Sequence, residues 1–261
     1  MAGIIGYCSA LLIGISLGLI GGGGSILTVP VLVYLFGVSP VLATSYSLCI
    51  VGITSLVGAY QNLRRGLVDF NTVSSFGIPS VITVLAVRKL VIPHIPSHLF
   101  FIGNFDISFS FLIMILLALL MIVASIAMIT NQKPQKEAFK HREIQFVFYG
   151  IGLGLVTGLL GAGGGFLIIP FLVLFVKMPM KKAVGTSLFI IAINALLGFV
   201  VDIGHHDINW HLLSIILIIA IAGVIIGVRL SKKAKGERLR KIFGWFVLLI
   251  ALFILVKEIF I

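Results

Sequence analysis

Two glycine-rich segments, residues 14–30 and 154–170, are the parts of this sequence best suited to bind a ligand. They read GISLGLIGGGGSILTVP and GLVTGLLGAGGGFLIIP, and an offset of 140 residues aligns them without a gap. In each segment a hydrophobic run is interrupted by glycines, which let a chain leave helical geometry at low steric cost. Interrupted runs at corresponding places in two halves of a chain are typical of substrate sites in secondary transporters. We therefore take these segments as the candidate site.

The expected chemistry is anion binding. A helix that resumes after a break exposes its first N–H groups and the positive end of its dipole. The restarts fall near Ser25 and Gly165, and two such ends facing one cavity would bind an anion. No Lys or Arg lies in the middle of a predicted span, so backbone N–H groups are the expected ligands, with Thr54 and other small polar residues as further donors. The predicted substrate-binding residues are Gly21, Gly22, Gly23, Gly24, Ser25, Thr44, Ser45, Ser47, Gly161, Gly163, Gly164, Gly165, Thr186, Ser187 and Asn194.

These residue types also have structural interpretations, which stay open. Gly14 and Gly18, like Gly154 and Gly158, have the small-xxx-small spacing of close helix contacts. Serine and threonine inside a membrane often bond back to a carbonyl of their own helix. The amide of Asn194 is larger and costs more to bury, which favours a role for it.

The composition indicates a membrane protein. Of the 261 residues, 60% are hydrophobic and only 10% are charged, and the mean hydropathy is +1.24. Apolar runs of about 20 residues recur, the length that a helix needs to cross about 30 Å of hydrocarbon. The runs are continuous rather than alternating, so helices are favoured over a barrel. We expect an all-α polytopic membrane protein without a soluble domain.

The net charge of +11 lies in a few connectors rather than on a surface suited to nucleic acid. Under the positive-inside rule, such connectors are cytoplasmic. Placing the 131–143 connector inside leaves only Arg88, Lys89 and Lys257 outside, and both termini are then external. The inner basic groups are Arg64–Arg65, the stretch 131–143, the corner with Lys177, Lys181 and Lys182, and the stretch 229–241.

The chain divides into a first transmembrane repeat (1–130), a cytoplasmic basic linker (131–143) and a second transmembrane repeat (144–261). Two segments are short, about 18 Å long at 1.5 Å per residue, so glycine-broken or re-entrant hairpins are favoured there over tight full spans. With either hairpins or full spans, the first repeat begins outside and the second begins inside, which predicts two inverted-topology repeats. The predicted segments are 4–20 with the short 25–36, 41–61, 70–92, 99–130, 144–160 with the short 165–176, 182–203, 209–230 and 242–260.

Other apparent motifs lack the context that their chemistry needs. No βαβ unit surrounds the glycines and no GxxxxGK[ST] motif exists, so nucleotide binding is not expected. Asp202, near the outer end of a span, is either a proton-relay residue or a solvated helix end. We find no nucleophile–base arrangement and expect no enzyme, no cofactor and no resident metal. A predicted external loop, in which a metal site is a minor alternative, contains His205, His206, Asp207 and His211.

The paired motifs resemble those of the sulfite exporter TauE/SafE family. Each copy reads G-x-x-x-G-x-x-G-x-G-G-[GS], followed by an apolar stretch, a proline and A-x-x-x-S-L. The first copy departs from the pattern at Ser25 and near Ser45–Tyr46. The resemblance covers most of the chain and implies export or uptake of sulfite, sulfoacetate, taurine-related or other small organosulfur anions. The motifs run from Gly14 to Pro30 with Ala43 to Leu48, and from Gly154 to Pro170 with Ala183 to Leu188.

We therefore expect a secondary transporter of a small anion, sulfite or an organosulfur compound such as a sulfonate, working by alternating access. No ATP-binding motif is present, so an ion, proton or substrate gradient would drive it. Two alternatives stay open, namely a passive anion channel and a non-transporting membrane assembly or scaffold protein. The expected partners are the anion, the lipid bilayer and, as an option, further copies of the chain. The expected location is the cell membrane.

Overall fold

Helices form nearly all of the described chain. The computed structural model describes residues 2–20, 25–95, 98–102, 105–130, 143–160, 165–174, 176, 178–204, 207–231 and 236–260. The helices are α1 (Ala2–Ile20), α2 (Ser25–Phe36), α3 (Pro40–Leu63), α4 (Phe70–His94), α5 (Phe109–Ile129), α6 (Glu143–Leu160), α7 (Gly165–Leu174), α8 (Met180–Asp202), α9 (Trp210–Ser231) and α10 (Gly236–Phe260). Two short strands, β1 (His98–Ile102) and β2 (Phe105–Ser108), pair in antiparallel fashion between α4 and α5.

Five helices of the described chain, α3, α4, α5, α8 and α9, are long and apolar enough to cross a membrane. Many large apolar side chains remain exposed, such as Phe148 and Ile218. In a polytopic protein such side chains face lipid, which is as apolar as they are. The fold is therefore that of a multi-pass helical membrane protein.

The two short helices begin where the sequence predicts. Helix α2 has 12 residues and α7 has 10, which give lengths of about 18 Å and 15 Å. Both are too short to cross about 30 Å of hydrocarbon alone. The glycines predicted to form the breaks, Gly21 to Gly24 and Gly161, Gly163 and Gly164, lie outside the described residues.

The predicted helix 99–130 is wrong in its first ten residues. Residues 98–102 and 105–108 form the strand pair, and α5 begins only at Phe109. Ser108 caps that start, because its Oγ accepts a hydrogen bond from the backbone N–H of Phe111 at 3.2 Å. The sequence between the strands reads Gly103-Asn104, a two-residue hairpin signal that the hydropathy pattern conceals. The last helix also begins earlier than predicted, at Gly236 rather than 242.

Helix α4 changes its winding along its length. It contains α-helical turns at Phe70–Thr72 and Ile78–Ala86, π-helical stretches at Val73–Gly77 and Val87–Val91, and a final 3₁₀ turn at Ile92–His94. Single π-helical turns inside α-helices are often found at functional sites. The second stretch contains the basic residue Arg88.

Helices α3 and α8 pack against each other at the centre of the bundle and carry most of the described buried polar side chains. Their glycines receive large side chains of the opposite helix. A β-carbon on Gly58 would lie 3.0 Å from Cδ1 of Leu188, and one on Gly198 would lie 3.2 Å from Cδ1 of Leu48. Residues 58 and 48 align with residues 198 and 188 at the offset of 140. The contact of Gly58 with Leu188 is therefore repeated by the contact of Gly198 with Leu48.

The same offset relates contacts of the outer helices. Helix α1 packs against α9, and α6 packs against α4. Gly14 and Gly18 meet the backbone of α9, whereas Gly154 and Gly158 meet α4. The α9 residues are Ala220, Gly223, Val224, Gly227 and Val228, and the α4 residues are Ser80, Thr83, Val84 and Val87. Each α4 number plus 140 gives an α9 number, and these glycines therefore serve close helix packing.

Two hydrogen bonds at the starts of α4 and α9 form a third pair. The backbone N–H of Asp69 donates to Oγ1 of Thr186 at 2.9 Å, and the backbone N–H of Asn209 donates to the hydroxyl of Tyr46 at 2.6 Å. Residues 69 and 209 differ by 140, as do residues 46 and 186. Contacts between the halves thus recur in matched pairs at both ends of the central helices.

We expect Gly154→Ala to lower the melting temperature of the purified protein clearly, because the new β-carbon would lie 2.6 Å from the carbonyl oxygen of Ser80. Overpacking of this kind costs about 1–3 kcal/mol. Gly152→Ala is the matched control in the same helix, since nothing lies within 4 Å of its β-carbon. Equal melting temperatures of the two variants would contradict the close approach of α4 and α6.

Candidate functional site

The structure places the predicted hydroxyl donors of α3 in the interior. Thr44, Ser45, Ser47 and Thr54 are all fully buried. Thr44 and Thr54 donate to carbonyl oxygens of their own helix, those of Val41 and Ile50, at 2.7 and 2.5 Å. The hydroxyl of Ser47 has no hydrogen-bond partner among the described residues. Back-bonding thus accounts for some of these hydroxyls and leaves others for different partners.

The predicted residues of α8 have separate partners. Oγ1 of Thr186 accepts from the backbone of Asp69, and Ser187 donates to the carbonyl oxygen of Val184 at 3.0 Å. Nδ2 of Asn194 donates to Oγ of Ser80 at 2.8 Å, while its Oδ1 is buried without a partner in the described chain. The amide of Asn194 therefore joins α8 to α4 and retains an unused acceptor.

The predicted polar residues do not converge on one point. Thr186 lies near the start of α8, Asn194 near its middle and Asp202 at its end. The sixteen residues from Thr186 to Asp202 correspond to about 24 Å along a helix. The set divides into three groups, which lie at the two ends and the middle of the α3–α8 pair.

The helix starts at Ser25 and Gly165 match the predicted restarts. Ser25 is fully buried and opens α2, and Gly165 opens α7. Helices α2 and α7 contact each other. The two short helices that begin at the predicted restarts are therefore neighbours in the bundle.

The group at the end of α8 contains an ion pair between α4 and α8. Nη1 of Arg88 donates to Oδ2 of Asp202 at 2.6 Å, and Ser45 donates to the same oxygen at 2.5 Å. Nη1 also donates to Oγ1 of Thr44 at 3.2 Å. Arg88 is 1% exposed and Asp202 3% exposed. The expected solvated helix end at Asp202 is wrong, because partners from α3 and α4 enclose its carboxylate.

Arg88 is a further charged group of the interior, which the sequence analysis did not single out as an anion ligand. It was assigned to the outside on the basis of charge counting, yet it is among the largest fully buried side chains of the described protein. A sequence signal existed, since Arg88 and Asp202 have opposite charges and lie in spans predicted to end on the same side. Ionisable residues within spans usually pair with one another and mark substrate or ion pathways.

Within the described residues, no group of three or more His, Cys, Asp and Glu side chains is placed to hold a metal ion. Two members of the histidine-rich loop, His205 and His206, lie outside the described residues. The structure therefore does not describe the complete loop.

The described chain is a multi-pass helical bundle with two short helices and a buried ion pair, and comparisons with known proteins indicate a membrane transporter. The chain belongs to the sulfite exporter TauE/SafE family, whose sequence profile matches residues 7–254. No solved structure matches the chain.

Curated relatives share the length of the chain. A probable membrane transporter protein of Xylella fastidiosa is 26% identical over 265 residues, covering 97% of this chain and 94% of the relative. One of Methanocaldococcus jannaschii is 25% identical and covers 91% and 88%. One of Bacillus subtilis is 28% identical and covers 74% and 75%. The similarity therefore extends over both halves of the chain.

Proposed function

We propose that this protein is a secondary transporter that moves a small anion, sulfite or an organosulfur anion such as a sulfonate, by alternating access. The observation that carries the proposal is the set of matched contacts between the halves. A contact of residue i with residue j that is repeated with the roles exchanged is the mark of two-fold symmetry. Alternating access by movement of one repeat against the other needs two such equivalent halves.

The inverted arrangement is part of this proposal. The two-fold contact pattern supports two equivalent halves, and the positions of the basic connectors support their opposite orientation. The lengths of α2 and α7 support re-entrant hairpins, because neither helix crosses the hydrocarbon alone. Each hairpin would bring one helix start to the middle of the membrane.

The choice of an anion rests on the helix starts and the family. The N-terminus of a helix exposes its first N–H groups and the positive end of its dipole, and α2 and α7 begin at Ser25 and Gly165. The family is named for sulfite export, and sulfite and sulfonates present several oxygen acceptors to such donors. In this proposal the anion binds at the two glycine breaks, and the polar residues of α3 and α8, which lie at different depths, line its path.

The binding experiment measures the melting temperature of purified protein with sulfite, thiosulfate, sulfoacetate and taurine. A ligand that binds the native state raises its apparent stability by RT ln(1 + L/Kd), where L is the free ligand concentration. We expect at least one of the oxyanions to raise the melting temperature and potassium chloride at equal ionic strength to leave it unchanged. No response to any oxyanion would contradict the proposed substrate class.

The orientation gives a separate prediction. In a background without Cys8 and Cys49, a cysteine replacing Asp207 should react with an impermeant thiol reagent added to intact cells. A cysteine replacing Arg65 should react only after the cells are permeabilised. Both positions are exposed in the structure, so a difference in labelling reports the side of the membrane on which each position lies. Labelling of Arg65→Cys in intact cells would reverse the proposed topology.

A further inference from the structure

The guanidinium group of Arg88 has hydrogen-bond partners on one side and, among the described residues, none on the other. Nη1 donates to Asp202 and Thr44. Nε and Nη2 are buried and have no hydrogen-bond partner among the described residues. These two nitrogens lie on one edge of the planar group and present parallel N–H donors. Such an edge fits two oxygens of one oxyanion.

The free edge requires an occupant. Buried donors are almost always hydrogen-bonded, and an unsatisfied one indicates a missing water, ion or ligand. Leaving charged donors unpaired in the interior costs free energy that other contacts must offset. Asp202 balances the charge of Arg88, but of the three guanidinium nitrogens only Nη1 donates to it, so the Nε and Nη2 donors stay available to a second acceptor.

The cluster is not a requirement of the fold. The offset of 140 residues, which relates the packing contacts of the two halves, aligns the four residues of the cluster with uncharged residues. The counterparts of Arg88, Asp202, Thr44 and Ser45 are Val228, Asn62, Val184 and Gly185. Asn62 is buried there and donates to the carbonyl oxygen of Gly58 at 2.8 Å. The same packing is therefore built once with the ion pair and once without it, which indicates that the pair serves a function.

We propose that the Nε/Nη2 edge of Arg88 binds the transported oxyanion, and that Asp202 is a positioning residue that holds the guanidinium through Nη1. The inference rests on the proposed function. It adds Arg88 as a group that binds the anion, and it specifies the class of anion that fits. The ligand class is an anion that offers two oxygens to a planar fork, such as sulfite or a sulfonate, rather than a halide. The site lies at the C-terminal end of α8, where Thr44 and Ser45 hold the Nη1 and Asp202 side of the ion pair.

The test measures sulfite affinity from the melting temperature of purified protein as a function of sulfite concentration. The double variant Arg88→Gln/Asp202→Asn removes the fork without leaving a lone buried charge. We expect it to melt near the wild-type temperature without sulfite and to bind sulfite about 100-fold more weakly, as expected for the loss of two charge-assisted hydrogen bonds. The control Arg65→Gln/Asp207→Asn makes the same substitutions at exposed positions and should keep wild-type affinity.

Asp202→Asn alone provides a second readout that a purely structural ion pair would not change. Without the carboxylate, the anion becomes the counter-ion of Arg88, so sulfite should bind about tenfold or more tightly. The melting temperature of this variant should then rise more steeply with sulfite than that of the wild type. A melting temperature that lies below that of the wild type by the same amount at every sulfite concentration would overturn the proposal.

The outcomes separate this inference from the proposed function. Wild-type binding that persists unchanged in Arg88→Gln/Asp202→Asn would overturn the Arg88 site and leave the transporter proposal intact. Absence of binding by the wild type to sulfite and the sulfonates would overturn both. Weaker binding in the double variant, with unchanged affinity in the exposed control, supports the site.

Discussion

Arg88→Met should remove most of the folded protein from the membrane. The substitution leaves the carboxylate of Asp202 buried with Ser45 as its described partner and without a positive charge. Breaking a buried ion pair on one side costs about 3–5 kcal/mol, which is a large part of the stability of a typical domain. The measurement is the yield of monodisperse protein extracted from membranes, together with its melting temperature.

The double variant Arg88→Met/Asp202→Asn is the control for this prediction. It removes both charges and keeps an amide that Ser45 can bond, so it should recover most of the lost yield and melting temperature. Replacing a buried pair by neutral groups of similar size is often close to neutral. A double variant as unstable as Arg88→Met would contradict the pairing of Arg88 with Asp202.

Ser25→Asp should abolish anion transport, whereas Ser25→Asn should retain a substantial part of it. Ser25 is fully buried at the first residue of α2. A carboxylate there would interact with the positive helix end and repel a second anion, since like charges at low dielectric interact far more strongly than in water. At an effective dielectric constant of about 20 and a separation of about 5 Å, the repulsion is about 3 kcal/mol, or about 100-fold in affinity.

The two substitutions at Ser25 have nearly equal size, so their difference reports charge. Transport is measured with labelled sulfite over a range of pH, to include conditions in which the carboxylate is ionised. Equal losses in both variants at every pH would show that the position acts by size alone. The mechanism in which helix ends bind the anion would then lose its support.

The sequence predicts the starts of the two short helices because the signals for them are local. Helix α2 covers the predicted 25–36, with glycines before it and Pro30 within it. Glycines and prolines act on the backbone of their own segment, so their effect is readable without the rest of the fold. The strand pair at 98–108 was missed because its apolar residues continue into α5 and resemble a longer helix.

The ion pair could not be read in the same way. Arg88 and Asp202 are 114 residues apart, and their contact depends on how α4 and α8 pack against α3. Charge counting treats each basic residue as a marker of a membrane side, and it therefore placed Arg88 among external charges. The offset of 140 residues did carry tertiary information, because residues that it aligns make equivalent contacts.

The measurement that tests the account most directly is sulfite counterflow in proteoliposomes. Vesicles containing the purified protein are loaded with unlabelled sulfite and diluted into a trace of labelled sulfite. The account predicts uptake of label that overshoots equilibrium, saturates with external sulfite and is absent from empty vesicles, because a carrier exchanges its substrate between two faces. Uptake that is linear in sulfite and indifferent to internal sulfite would indicate a channel. No uptake above that of empty vesicles, with sulfite, thiosulfate or sulfoacetate, would contradict anion transport by this protein.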